Sequence, residues 1–400
     1  MASIRVDTDR MRDCASELWR VSKDLGNAAG ETSRAGLLLT FQIASRPQIV
    51  ASVWRTALRL RQEQAKALAL QRALEELIRL YERMEKDRAK VHVQMGRSGR
   101  DLLRTDSEQM DREIEQFERE HPEEARLLND FLNSGSNNRL TEDDIRKIKY
   151  LLIHAEEPYR SSYLKSLNQF TIGNGDLGKG AYYRPGDKTV NYSYPDSFDS
   201  DPRGPYTTLF HECGHAIDDQ SNLVNVKGSD TESFTVYNES MGRNVTLREA
   251  IEYDVFYNES NPHSVASMAN QIVQSGGTGH DGDVNKVIAA FQSGNTRGLS
   301  KADQQLYNAV RNQHKRSTSG VAEQYEAVSD VYGGMSNNEL RNGYGHDNSY
   351  WKDPSKAGKE LWAEYFSYHM AGDQQNLAYV QEYFPEASKV LDSYADQLAR

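Results

Sequence analysis

Two histidines and a glutamate, His211, Glu212 and His215, stand together in the stretch FHECGHAIDDQ (residues 210–220). The histidines are four apart, so on a helix they share one face, one turn apart, and both imidazoles can reach a single metal ion. Glu212 is rotated by about 100° from His211, which sets its carboxylate beside an attacking water instead of on the metal. Zinc polarises a carbonyl and acidifies water, and a carboxylate so placed takes the proton and passes it on. Gly214 lets another element pack closely behind the helix. Asp218 and Asp219 are acidic groups near enough to orient a ligand histidine. Cys213 lies about 200° round from His211 and reads as a small buried residue, not a nucleophile. Two histidines at this spacing also occur on ordinary helices, so the surroundings carry weight. YTTLF (206–210) is apolar enough to bury the helix, and KTVNYSY (188–194) reads as an edge strand along which an extended peptide can lie.

A zinc hydrolase needs a third protein ligand. After His215 the chain reads AIDDQSNLV, with no third histidine nearby. A distant carboxylate is therefore expected, and two segments qualify. YEAVSD (325–330) carries Glu326 and Asp330; KELWAEYFSY (359–368) carries Glu360 and Glu364. In each, the acidic residues are four apart, so one can reach zinc while the other meets a ligand histidine. His263, His280, His314 and His369 read as surface or loop residues.

HECGHAIDD and ELWAEYF resemble the two motifs of the anthrax lethal factor-like zinc metallopeptidases, an H-E-x-G-H-A-[VI]-D-D helix and an E-[FL]-x-A-E-x-F helix. The match at Glu360, Ala363, Glu364 and Phe366 implies that Glu360 is the third zinc ligand. It implies that Glu364 orients a histidine. The resemblance further implies a zincin-like fold, a gluzincin-type metallopeptidase activity on protein or peptide substrates, and a tyrosine shortly before the second helix that stabilises the oxyanion. In GYGHDNSYWKD (343–353) that donor is Tyr350, with Tyr344 and His346 as the other candidates. The resemblance covers about 60 residues, its tyrosine spacing differs here, and the chain between His215 and Glu360 is longer than in the family. SDVYGGMSNN and YGHDNSYW also resemble a segment of zinc-peptidase-like domains in bacterial toxins and phage structural proteins.

Several elements must position these residues. The chain has 400 residues, an apolar fraction of 37% and a net charge of −11; mean hydropathy is −0.78. This polarity fits long solvated helices, and the acidity argues against nucleic-acid binding. Residues 1–90 hold 17 basic and 12 acidic side chains, a net of +5, which leaves −16 for the rest. Cys14 and Cys213 fall in different regions, so no disulfide framework is expected. No apolar run is long enough to span a membrane, and the N-terminus lacks the apolar stretch of a signal peptide.

Residues 1–95 read as a helical hairpin. Met11, Cys14, Leu18, Val21, Leu25 and Ala28 make a heptad stripe in the first helix; Leu60, Leu70, Leu74, Leu77, Tyr81 and Met84 make a second stripe after a break near Pro47. Residues 96–165 read as a helical connector, with Thr141 and Asp144 forming a capping box. Residues 166–400 read as the zinc domain, in which GAYYRPGDKTVNYSY forms two short strands around the turn PGDK. The fold class expected is α-rich α+β: an antiparallel helical hairpin, then a metallopeptidase domain with a small antiparallel sheet.

The hairpin resembles the WxG-type hairpins exported by bacterial type VII secretion, chiefly through Tyr81 and Glu85 in YERME, a Y-x-x-x-[DE] pattern. It departs from them in lacking W-x-G: Trp19 is followed by RV and Trp54 by RT. The resemblance implies a toxin or effector, cytoplasmic before export and secreted without a classical signal peptide, whose partners include the secretion machinery and a chaperone or immunity protein. Two other classes stand beside this one: a phage- or secretion-associated structural protein with a non-catalytic zinc site, and a partner-binding module whose zinc domain serves only as a scaffold.

Overall fold

The computed structural model describes residues 8–42, 51–71, 99–133, 140–174, 181–192, 204–221, 234–319 and 327–400. The chain divides into two units, Met1–Met95 and Gly96–Arg400.

In the first unit, α1 spans Thr8–Gln42 and α2 spans 51–71. The two meet through small residues. Ser22, Ala29 and Ala57 are buried, whereas Val21 (48%) and Leu70 (59%) are exposed. A Cβ on Gly26 would stand 2.6 Å from Gln64 Nε2. The seam therefore runs along Ser22, Gly26 and Ala29, one position beyond the expected Val21 and Ala28. Small side chains let the backbones approach, while Val21 and Leu70 are turned outward and Leu18, Leu25 and Leu60 are half-buried. Leu74, Leu77, Tyr81, Met84 and Glu85 lie outside the described residues.

The second unit is α-rich α+β. Its elements in chain order are α3 (Gly99–Leu102), α4 (Ser107–Glu120), α5 (Pro122–Leu132), α6 (Glu142–His154), α7 (Tyr159–Ser166), β1 (Thr171–Asn174), β2 (Tyr182–Arg184), β3 (Thr189–Tyr192), α8 (Thr207–Gln220), β4 (Thr235–Asn238), β5 (Arg243–Thr246), α9 (Leu247–Glu252), α10 (Val265–Ser275), α11 (Val284–Ser293), α12 (Lys301–Ser317), α13 (Ala327–Met335), α14 (Lys356–Ala371), α15 (Gln374–Tyr383) and α16 (Pro385–Leu398). A π-helical turn, Tyr253–Tyr257, extends α9.

Residues 96–165 are not a separate connector. Leu128, Phe131, Leu151, Tyr159 and Tyr163 share one buried cluster with Leu209, Phe210 and Trp362. Tyr163 meets Phe210 edge-on at 5.9 Å. The expected capping box is present: Thr141 Oγ1 accepts from Asp144 N, and Asp144 Oδ2 accepts from Thr141 N. Asp144 Oδ1 also accepts from Tyr206 Oη at 2.8 Å. Tyr206, fully buried, caps α8 from a left-handed backbone (φ 60), so this bond bolts the start of α8 to α6.

The sheet differs from expectation. Strands β2 and β3 pair antiparallel around residues 185–188, as read from PGDK. But β1 adds to β3 in parallel, so the order is β1-β3-β2 and the sheet is mixed. β3, expected as the edge strand, is central with both its edges filled, and among the described residues the strand with an unpaired edge beside α8 is β2. A second hairpin, β4–β5, follows α8.

Helices α8 and α14 form the centre. Both are buried over most of their surface, with polar side chains enclosed among apolar ones; every residue from Glu360 to Ala371 is buried. They cross at Gly214, where a Cβ would lie 2.9 Å from Ala363 Cα and 3.3 Å from Phe366 Cδ1. Trp362 Nε1 donates to Gly214 O at 2.9 Å across the same contact.

Candidate metal centre

The crossing of α8 and α14 brings together residues about 150 positions apart in sequence. His211 and His215 project from one face of α8, with their Nε2 atoms 3.1 Å apart. Glu360, in the second turn of α14, sets Oε2 3.5 Å from His211 Nε2 and 3.6 Å from His215 Nε2. Tetrahedral zinc with ligands at about 2.0–2.1 Å separates its ligand atoms by about 3.3–3.4 Å. The three separations bracket that value, and two imidazoles with one carboxylate are a donor set zinc favours. The residues present fit the ion.

Electrostatics agree. Burial raises the Glu360 carboxyl, but His215 and His211 outweigh it and hold the group well below the usual carboxylate range. It is therefore ionised, as a ligand must be. Glu364, one turn further along α14, places Oε1 3.5 Å from His211 Nδ1. An acceptor at that place can fix the ring with Nε2 turned towards the three-atom cluster. His211 is enclosed, whereas the His215 side chain keeps 19% of its surface exposed, which leaves the centre open on one side.

Glu212 does not join the ligand set. Its Oε2 accepts from the backbone N–H of Tyr183 on β2 at 2.8 Å. Asp218 and Asp219, expected near a ligand histidine, have other partners: Asp218 Oδ1 accepts from Tyr394 Oη at 3.3 Å, and Asp219 Oδ2 accepts from Tyr183 Oη at 2.9 Å.

Of the three candidate oxyanion donors, the structure brings Tyr350 to Glu360, donating its phenol hydrogen to Oε1. Burial and the carboxylates of Glu360 and Asp330 push the phenol far up, so it stays protonated. The Tyr350 ring stacks on His346 with centroids 3.8 Å apart, and Lys356 Nζ lies 4.7 Å from its centroid. His346 is clamped by Asp330, which accepts its backbone N–H through Oδ1 and its ring Nδ1–H through Oδ2, both at 2.6 Å. Burial lowers this imidazole, but Asp330 more than offsets it and the net shift is upward. Tyr344 is 52% exposed. Glu326 lies outside the described residues, and Asp330 serves His346.

Asp330, His346 and Glu360 form a second group with possible ligand atoms within 4.8 Å of one another. The 2.6 Å contact between Asp330 and His346 is a hydrogen-bond distance, shorter than the spacing of two ligands on one zinc. This reads as a carboxylate–imidazole pair beside the centre.

Other histidines depart from expectation. His314 is fully buried on α12 and His369 nearly so on α14. His314 stacks on Tyr332 with centroids 4.6 Å apart, and His369 stacks on Tyr159 at 3.7 Å. Both pack as aromatic core residues, and His369 also sets Nδ1 3.2 Å from Glu156 Oε2. Cys213 is buried as expected, and burial pushes its thiol up. The sequence carries no signal for the Tyr183 amide, and for the Asp330–His346 pair only the separate motifs YEAVSD and GYGHD.

No family model, curated protein or solved structure matches the chain.

Proposed function

We propose that this chain is a zinc-dependent metalloendopeptidase in which His211, His215 and Glu360 hold the ion. The observation that carries the reading is the convergence of His211 Nε2, His215 Nε2 and Glu360 Oε2 at tetrahedral-ligand spacing, with Glu212 adjacent and outside the ligand set. Zinc held there supplies Lewis-acid activation of water and of the scissile carbonyl.

The chain's own groups do the rest. Glu212 takes a proton from the attacking water and delivers it to the leaving amine nitrogen as the carbon–nitrogen bond breaks. Tyr350 turns its phenol hydrogen from Glu360 Oε1 to the oxygen that gains charge, and His346, stacked on the Tyr350 ring and held by Asp330, lies beside it as a second donor. The outer edge of β2, where Tyr183 faces Glu212, replaces β3 as the strand along which an extended peptide lies.

The proposal extends to a secreted bacterial toxin or effector, with the first unit as the part read by an export machinery. The α1–α2 pair is consistent with that reading, while Tyr81 and Glu85 are outside the described residues. The experiment is hydrolysis of a peptide library by purified protein, before and after chelation and again after zinc is restored. Cleavage that is lost and regained with zinc supports the proposal. Absence of cleavage with zinc bound leaves a structural site and refutes it.

A further inference from the structure

The sequence marks Asp219 as an acidic residue of the metal-binding helix, yet its bonds run away from the histidines. Glu212 and Asp219 are seven apart on α8, two turns along one face. A single residue of β2 meets both. Tyr183 donates its backbone N–H to Glu212 Oε2 at 2.8 Å and its phenol O–H to Asp219 Oδ2 at 2.9 Å. Gln220 Nε2 completes the cluster, donating to Tyr183 Oη at 3.1 Å and to Asp219 Oδ2 at 2.6 Å. β2 is three residues long and, among the described residues, paired on one side only, to β3. Such a strand needs a further tie to keep its outer edge in register with α8.

We infer that Tyr183 is a positioning residue for Glu212, latched by Asp219: the side-chain bond holds β2 against α8 so that the Tyr183 amide fixes the Glu212 carboxylate. The inference rests on the peptidase reading for its kinetic consequence, but the latch itself does not. The Tyr183 amide constrains one carboxylate oxygen of Glu212, Oε2. Without the phenol bond, β2 remains paired to β3 while its outer edge drifts from Glu212. The base then samples more rotamers, and the cost falls on turnover instead of on binding of substrate or metal.

The test compares wild type with Tyr183→Phe, Asp219→Ala and the double variant, each as full-length zinc-loaded protein. Three quantities are read: kcat and KM on a cleaved peptide, zinc content, and hydrogen exchange at the Tyr183 amide. Each single variant is expected to lower kcat about tenfold with KM and zinc content unchanged, to speed exchange at that amide, and to add nothing further when combined. Unchanged exchange, an unchanged kcat in an active enzyme, or losses that multiply in the double variant would overturn it. If wild type cleaves no peptide, the peptidase reading fails, and the exchange comparison alone decides the latch.

Discussion

Replacing Gly214 by alanine separates metal affinity from stability. The added Cβ stands 2.9 Å from Ala363 Cα, and ordinary carbon contact begins near 3.4 Å, so the helices must part by about 0.5 Å at the crossing. The obstructing atom is backbone and cannot rotate away. Overpacking costs about 1–3 kcal/mol, while alanine in a helix interior returns about 1 kcal/mol over glycine, so the metal-free protein loses only about 0–2 kcal/mol. The centre has less latitude. Its ligands come from both helices, Glu360 is three residues from Ala363, and ligand distances tolerate about ±0.2 Å. Zinc affinity is expected to fall about 10–100-fold, the scale seen when ligand support is disturbed. The assay is zinc titration against a competing chelator, with denaturant melts of the metal-free proteins. Zinc affinity within twofold of wild type would refute the claim that this crossing sets the ligand geometry.

Glu212→Gln keeps the ligands and removes the base: zinc content should stay at the wild-type level while kcat falls about 10²–10⁴-fold. Tyr350→Phe removes one donor to the oxyanion and should lower kcat about 10²–10³-fold with a small change in KM; an unchanged kcat would assign that role elsewhere. His314 gives a pH signature in stability. Burial lowers its imidazole to about 3, whereas the unfolded chain titrates near 6.5. Its contribution is therefore complete above about pH 6.5 and is lost as pH falls towards 3, at about 1.4 kcal/mol per pH unit. Urea melts at pH 7 and pH 5 should show wild type losing about 2 kcal/mol more than His314→Phe, which keeps the stack on Tyr332; equal losses would contradict the buried neutral imidazole.

Helices α8 and α14 were legible because the polar residues of the candidate site follow helical spacing. His211 and His215 share a face by arithmetic alone, and Glu360 with Glu364 repeats that spacing. What the sequence concealed was pairing at a distance. Nothing in TIGN marks β1 as the parallel neighbour that turns β3 from edge to centre, because a four-residue strand carries too short an alternation. The β4–β5 hairpin is equally short and half polar. Tyr183 reads as one tyrosine among 22; its importance lies in a backbone N–H, which no side-chain pattern reports. In the first unit the heptad suggested large residues at the seam, whereas Ser22, Gly26 and Ala29 permit a closer approach. Helices α4–α7 looked like a polar connector because their apolar faces are narrow, yet those faces close the core around Phe210 and Trp362.

The most direct test of the account is zinc stoichiometry on wild type, His215→Ala, Glu360→Ala and Asp330→Ala, with peptide cleavage run on each. The account predicts one zinc per chain in wild type, loss of zinc and cleavage together in His215→Ala and Glu360→Ala, and retained zinc in Asp330→Ala. Zinc that survives His215→Ala but not Asp330→Ala would move the ion to the His346 pair and contradict the assignment.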